Sequence, residues 1–343
     1  MVNVQPLVSV IIPNWNGKRF LAECMDSIKE QTFSDFEIIL VDNGSTDGSA
    51  EFVEDRYGES VRIIRNKENL GFTGGNNVGI RSARGEYIVL LNNDTLVEPT
   101  YLEALVKAIG SDRQVGMWSS KVYSYYRRDR VEAAGELIYW DGLNRARGQY
   151  EQDRGQYDEL EEIFFPPGCG GMYRKSLFEE IGLFDEDFFA YGDDAEIGIR
   201  ARLAGWKCIY VPKAVVYHKN SGSSGQYSPF KAFFVERNRF WITIKYFPWP
   251  LLILSLFFTY YRFSFQAYGA LTHRGAAGKF TEIYSPLRLM GILLKAYGSG
   301  LRYLPRMWRK RRLLKRLKKV TYGEIFSWFR RFGIPGREIA LRD

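Results

Sequence analysis

Tyr87-Ile88-Val89-Leu90-Leu91-Asn92-Asn93-Asp94-Thr95 is the stretch from which this 343-residue chain is best read. Five apolar residues, 87 to 91, have the pattern of a strand buried on both faces, as in a parallel sheet. The run stops at two amides and a carboxylate. In open α/β sheets the carboxyl edge of the strands is where ligands bind. An Asp beside two Asn suits a hard divalent cation, which can in turn hold a diphosphate. The same three residues also serve as an ordinary strand-ending turn.

Working outward, residues 7–13 form another apolar strand, ended by Pro13, with Asn14-Trp15-Asn16-Gly17 as its loop. Phe20, Leu21, Cys24, Met25 and Ile28 then recur at helical spacing. A strand over 36–41 leads into Asp42-Asn43-Gly44, and a helix is expected over 49–56 with Ser and Asp as candidate caps. After a strand over 61–65, residues 69–77 read as a loop rich in glycine and amides, followed by a helix over 78–83. Alternating strands and helices with short loops predict right-handed βαβ units and a mostly parallel sheet. Asn14, Asn16, Asp42, Asn43, Asn76 and Asp94 fall in the loops at one edge, while the strands carry almost nothing polar. That one-sidedness points to a nucleotide site. Neither G-x-G-x-x-G nor G-x-x-x-x-G-K-[ST] is present, which disfavours dinucleotide and P-loop chemistry.

Four segments, VSVIIPNWNG, IILVDNGSTDGS, NLGFTGGNNVGI and VLLNNDT, resemble in order and spacing the inverting family-2 glycosyltransferases of GT-A fold. The likeness runs to about residue 225. It implies a Rossmann-like nucleotide-binding half in which Asp42 contacts a pyrimidine and Pro13 and Asn16 border base and ribose. Asn14, Asn43, Gly71, Asn76, Asn92 and Asn93 complete the expected nucleotide-sugar contacts. Asp94 is the implied metal ligand, on Mg²⁺ or Mn²⁺. Here the D-x-D position reads Asn92-Asn93-Asp94, which resembles the rhamnosyltransferase and galactofuranosyltransferase side of the family.

In the second half, a helix over 101–109 and a strand over 115–122 are expected. Residues 127–162 are polar and without period, leaving an acceptor-facing insertion and a plain surface equally open. The run Pro167-Gly168-Cys169-Gly170-Gly171 either lets backbone approach a ligand or makes a tight strand turn. A helix follows over 175–181, and another starts near Asp193. Acids there complement a helix dipole. The stretch Phe189-Ala190-Tyr191-Gly192-Asp193-Asp194-Ala195-Glu196, through to Arg200, also resembles the family pattern F-x-Y-x-E-D-x-D-L-x-x-R. The resemblance makes Asp194 the general base with Asp193 beside it, and assigns Gly170, Gly171, Phe189, Tyr191 and Arg200 to the acceptor side. Acids so close are expected to raise one pKa. Strands over 208–211 and 215–217 then deliver His218 to a Ser/Gly run, 220–225. Its spacing from Asp194 resembles that of the family's metal-binding His.

Charge divides the chain unevenly. Residues 245–343 carry a net +16 and residues 1–244 a net −8. Phe240 to Tyr261 is almost wholly apolar and aromatic, but Pro248-Trp249-Pro250 interrupts it. A re-entrant or interfacial element is expected, with a single span as the alternative. Beyond it, leucines and cations interleave over 302–319, the pattern of an amphipathic helix on an anionic leaflet. A nucleic-acid binder has no need of the apolar segment, and no nucleic-acid partner is expected. Cys24, Cys169 and Cys208 have no metal spacing and read as reduced, buried thiols. No leader is apparent before the first strand, so the cytoplasmic face of the membrane is the expected location.

The expected organisation is a glycosyltransferase domain over 1–228 (nucleotide-sugar half 1–112, acceptor half 113–228) and a basic, aromatic, helical membrane-associating region over 229–343. The donor implied is a dTDP- or UDP-linked sugar, and the acceptor a glycan or polyprenyl-pyrophosphate-linked glycan. The rivals are a sugar nucleotidyltransferase, whose Gly- and Arg-rich loop is missing, and a membrane-associated nucleotide- or glycan-binding protein without turnover.

Overall fold

The computed structural model describes residues 5–219 and 227–342, so the Ser/Gly run after His218 lies outside the described residues. Two units are present. The first comprises residues 1–135, 146–201 and 206–223, and the second 136–145, 202–205 and 224–343.

In the first unit, β1 (Val8–Asn14), α1 (Lys18–Lys29), β2 (Phe36–Asp42), α2 (Ser49–Tyr57), β3 (Arg62–Arg65), α3 (Gly71–Ser82) and β4 (Tyr87–Leu90) alternate as expected. Strands β3-β2-β1-β4 are all parallel, with Val10 opposite Val89 and Ile38. Ile88 and Val89 are fully buried. Leu21, Cys24, Met25 and Ile28 of α1 join Val10, Ile12, Leu40 and Val89 in the main core. In register, Asn14 ends level with Asp42, so the two polar loop mouths open side by side.

Helix α3 begins at Gly71, not at 78. Glycines that resemble loop punctuation belong to the helix because it packs onto the sheet without side chains. A Cβ on Gly79 would collide with the Ile11 methyl, and one on Gly75 would come within 2.6 Å of the Asn43 amide.

Then follow β5 (Thr95–Val97), α4 (Tyr101–Lys107), β6 (Val115–Ser124), β7 (Val131–Ala133), β8 (Glu136–Ile138), β9 (Asn144–Ala146), β10 (Glu161–Ile163), β11 (Gly171–Arg174), α5 (Lys175–Ile181), α6 (Asp193–Leu203) and β12 (Lys207–His218). The full sheet runs β10-β12-β6-β11-β4-β1-β2-β3, with β5 also on β12 and β7 on β6. It is mixed, which corrects the expectation of a mostly parallel sheet. β11 is antiparallel to both its neighbours, and β5, β7 and β10 are antiparallel to theirs. A short strand buried on both faces reads alike in either direction, so its polarity is not in its residues. The two strands expected near 208–217 are one, with a register shift between Val211 and Val215.

The second unit holds the β8–β9 ribbon and α7 (Pro229–Tyr246), α8 (Trp249–Thr272), α9 (Gly275–Ile283), α10 (Pro286–Arg302), α11 (Leu304–Leu314), α12 (Tyr322–Arg331) and α13 (Gly336–Leu341). The apolar run breaks at Pro248, as its prolines dictate. Helices α7 and α10 each start with a Ser cap followed by Pro, and α12 with a Thr321/Glu324 capping box. Among the described residues no helix is long and apolar enough to cross a membrane.

Candidate active site

The carboxyl edge of the parallel strands is a mesh of amides. Pro13 and Asn14 end β1, and Asn14 donates to Asp42 Oδ1 and Ser45 Oγ, both at 3.2 Å. It accepts from Asn93 Nδ2 at 2.6 Å. Asn16 sits at φ 50, its Oδ1 receiving the Thr46 amide at 2.8 Å. Asp42 is buried, and its second oxygen accepts the Ser45 amide at 3.1 Å. Asn43 accepts from Asn66 and donates to the Gly71 carbonyl, which couples the β2 loop to the start of α3. Gly71 has φ +73, and a Cβ there would meet Phe189 at 2.6 Å. Asn76, expected in a loop, is instead a fully buried helix residue whose amide donates to Phe72 O at 3.0 Å.

A second cluster lies beyond β4. Asp94 Oδ1 is 3.2 Å from His218 Nε2, and His218 Nδ1 is 2.6 Å from Glu132 Oε1. Asn92 Nδ2 lies 3.4 Å from the same Nε2. Antiparallel pairing of β5 with β12 sets Thr95 opposite His218, which brings the adjoining Asp94 to the imidazole. Burial works against the imidazolium, but Glu132, Cys169 and Asp94 around it more than reverse this, and hold its pKa well above the usual value.

This donor set suits a divalent cation. Bonds of about 2.0–2.2 Å meeting near a right angle put neighbouring ligand atoms about 3 Å apart, and Asp94 Oδ1 and His218 Nε2 have that separation. Glu132 holds Nδ1–H, so a cation would bind at Nε2 by displacing its proton. No group of three or more His, Cys, Asp or Glu able to hold a metal occurs among the described residues. Ligands from a diphosphate and water would have to complete the shell.

The third cluster opens α6. Asp193, Asp194 and Glu196 occupy its first turn. Glu196 is committed to Arg200 at 2.8 Å. Arg200 is itself buried and donates to the carbonyls of Ile181 and Leu183, so it ties α6 to the end of α5. Burial first, then the charges of Asp194 and Glu196, push the Asp193 carboxyl well above its usual range. Asp194 accepts the Ala195 amide at 2.7 Å through one oxygen. Its other oxygen is 3.9 Å from where a Cβ on Gly168 would be. Asp193 and Asp194 line a shallow hollow with Phe72, Pro167, Gly168 and Gly171. Phe189 and Tyr191 approach α6 at φ 64 and 63. Gly170 sits at φ +74, and its carbonyl accepts from Tyr101 and Ser120, so the glycine run makes a tight turn whose start borders the hollow.

Gly168 borders Asp194, and Cys169, the next residue, is close enough to His218 to feel its charge. One loop therefore has the acid pair on one side and the Asp94–His218 pair on the other. Glu132 was missed from the sequence. Its only signal in the sequence is the apolar–charged–apolar order of Val131-Glu132-Ala133, which the structure turns into a three-residue strand.

A family model described as Glycosyl transferase family 2 matches residues 9–182. Among curated relatives, the chain is 29% identical over 228 residues to the uncharacterized glycosyltransferase EpsJ of Bacillus subtilis, covering 66% of this chain and 64% of that one. It is 27% identical to glycosyltransferase GlyA of Streptococcus pneumoniae, covering 64% of this chain but only 32% of GlyA's length. It is also 29% identical to the N-acetylglucosaminyl-diphospho-decaprenol L-rhamnosyltransferase of Mycobacterium tuberculosis, covering 66% of this chain and 79% of that one. Among solved structures, the mannosyltransferase PcManGT of Pyrobaculum calidifontis, in complex with GDP-Man and Mn²⁺, matches with TM-score 0.55 at 19% identity, over 87% of this chain and 88% of that one. Residues 1–349 of S. aureus TarS match with TM-score 0.55 at 18% identity, over 95% and 90%. These likenesses give a mixed α/β, GT-A-like fold.

Proposed function

Since the chain belongs to glycosyl transferase family 2, we propose that it moves a sugar from a nucleoside diphosphate sugar to a glycan hydroxyl, inverting the anomeric carbon. The observation that carries this reading is the meeting of the acid pair and the Asp94–His218 pair across Gly168 and Cys169.

Asp194 faces the hollow and takes the proton of the acceptor hydroxyl. As that O–H bond breaks, the oxygen forms its bond to the anomeric carbon. The bond to the diphosphate oxygen breaks on the opposite face, through an oxocarbenium-like state. Asp193, whose buried carboxyl is biased toward its neutral form, eases the negative charge beside the base. Asp94 and His218 would hold a divalent cation, Mg²⁺ or Mn²⁺, which would supply Lewis-acid charge for the departing diphosphate. The amides of Asn14, Asn16, Asn92 and Asn93 offer neutral hydrogen bonds around the nucleotide, with Asp42 at the base. Gly170, Gly171, Phe189 and Tyr191 border the acceptor, while Arg200 fixes the helix that presents the base.

A rhamnosyl donor and a lipid-diphosphate-linked acceptor are the favoured pair, by analogy with the mycobacterial relative. Neighbours solved with UDP and GDP-Man support a nucleotide-linked donor without choosing its base. The protein is to be incubated with dTDP-, UDP- and GDP-linked sugars and a polyprenyl-pyrophosphate-linked GlcNAc acceptor. Product configuration is then read by NMR. Transfer with inversion from one donor is expected, whereas retention or hydrolysis alone would remove the mechanism above.

A further inference from the structure

The second unit presents a surface that its own fold leaves uncovered. Helix α8 is 24 residues long, and its single charged residue, Arg262, is fully buried. Its outward positions are Ile253, Leu256, Phe257, Tyr260, Tyr268 and Leu271, with exposures of 62% at Phe257, 74% at Tyr260 and 83% at Leu271. Their spacing is helical, so they form one stripe four to five turns long. Exposed apolar patches of this extent mark a docking surface.

Helix α10 adds a second pattern. Leu287, Leu294 and Leu301 are exposed at seven-residue intervals, and Arg288, Lys295 and Arg302 stand beside them at the same intervals, also exposed. Each leucine thus has a cation at its shoulder. That arrangement places alkyl groups at acyl depth and cations at the phosphates. Tyrosines on the α8 stripe suit the headgroup level.

We infer that α8 and α10 form an in-plane docking surface for an anionic bilayer. A second copy of the chain is the obvious competitor for the apolar stripe. Residues 245–343 carry a net +16, so pairing like units opposes charge with charge, whereas anionic lipid complements it. No described helix is fit to cross the bilayer, and the corner at Pro248 turns the chain from α7 into α8. The attachment is therefore to one leaflet. This inference does not depend on the proposed sugar transfer, although a lipid-linked acceptor would lie on the same surface.

The test is co-sedimentation of the full chain with vesicles of phosphatidylglycerol and phosphatidylcholine, or phosphatidylcholine alone, without nucleotide sugar. All substituted side chains are exposed, and circular dichroism checks folding. The parent should pellet with the anionic vesicles and be released by salt. Leu256→Glu/Phe257→Glu/Tyr260→Glu should lose binding even at low salt. Arg288→Gln/Lys295→Gln/Arg302→Gln should lose about fivefold per cation removed. The inference is overturned if the parent stays in solution with anionic vesicles at low salt. It is equally overturned if the glutamate variant pellets like the parent, or converts a dimer to a monomer in sedimentation velocity while vesicle partitioning is unchanged. Transfer to a water-soluble acceptor, measured in parallel, reports on the proposed function separately.

Discussion

Both units bury charge, and they do so in opposite ways. In the second unit, Arg262 binds Asp141 at 2.7 Å and both oxygens of Glu236 at 2.8 and 3.0 Å. Arg239 completes the square through Glu236 at 3.1 Å, the Asp141 carbonyl at 2.8 Å and the Tyr297 hydroxyl at 2.6 Å. Two acids meet two guanidinium groups, and the charges cancel. In the first unit Asp94 and Glu132 share His218, and Glu196 pairs with Arg200 beside Asp193 and Asp194 in the first turn of α6. Charge that only holds a fold is balanced from within. Acids whose titration is shifted, as at Asp193, and a histidine shifted likewise, as at His218, are the mark of a functional site.

That contrast can be broken most sharply at Asp194. Asp194→Asn should lower kcat by about 10²–10⁴-fold and leave nucleotide affinity by calorimetry and thermal stability nearly unchanged. If it turns over normally while Asp193→Asn is dead, the base has been assigned to the wrong acid. The opposite behaviour is expected of Arg262→Ala. It leaves the buried Asp141 and Glu236 with Arg239 alone and should cost about 3–5 kcal/mol in denaturant unfolding. A small loss there would mean that the square is not the structural charge cluster it resembles.

Smaller effects sharpen the comparison. Glu132→Gln keeps the shape but removes the charge that orients His218. Mn²⁺ affinity, measured with a nucleoside diphosphate present, should fall about 10–100-fold. Unfolding should barely change, and a purely structural Glu132 would show the reverse. The mildest test is pH. Burial alone would raise Glu236, but Arg262 and Arg239 override it and hold the pKa down to about 2, against 4.5 for a free glutamate. A carboxylate depressed by folding stabilises fully above its unfolded pKa. The second unit should therefore lose this contribution as pH falls from about 4.5 through about 2. A Glu236→Gln variant should lack that part of the acid dependence in denaturant titrations.

What could be read beforehand followed periodicity. β1, β2, β4 and α1 carry long apolar patterns, and their loops, with Asp42 and Asp94 at the mouths, followed from where those patterns stop. Helix α3 reads short in the sequence because Gly71, Gly74 and Gly75 signal loops locally, while what they provide is room for Phe189, Leu70 and the Asn43 amide. β11 spans four residues and β7 three, too few to show a period or a direction. Glu132 rides on that three-residue strand, so its approach to His218 is a product of sheet pairing, β7 with β6 and β6 with β12. Arg200 carried the family spacing, but two of its partners, the carbonyls of Ile181 and Leu183, lie at and just beyond the end of α5, where no local pattern names them.

Gly79 has a consequence for how such a chain can diverge. Its missing side chain is the space the Ile11 methyl occupies. Neither position can drift alone. Alanine at 79 is tolerated only after a branch is lost at 11, and a larger residue at 11 only while 79 stays bare. Two sites 68 positions apart in the chain thus share one allowance of volume, and lineages that change one should be found to have changed the other.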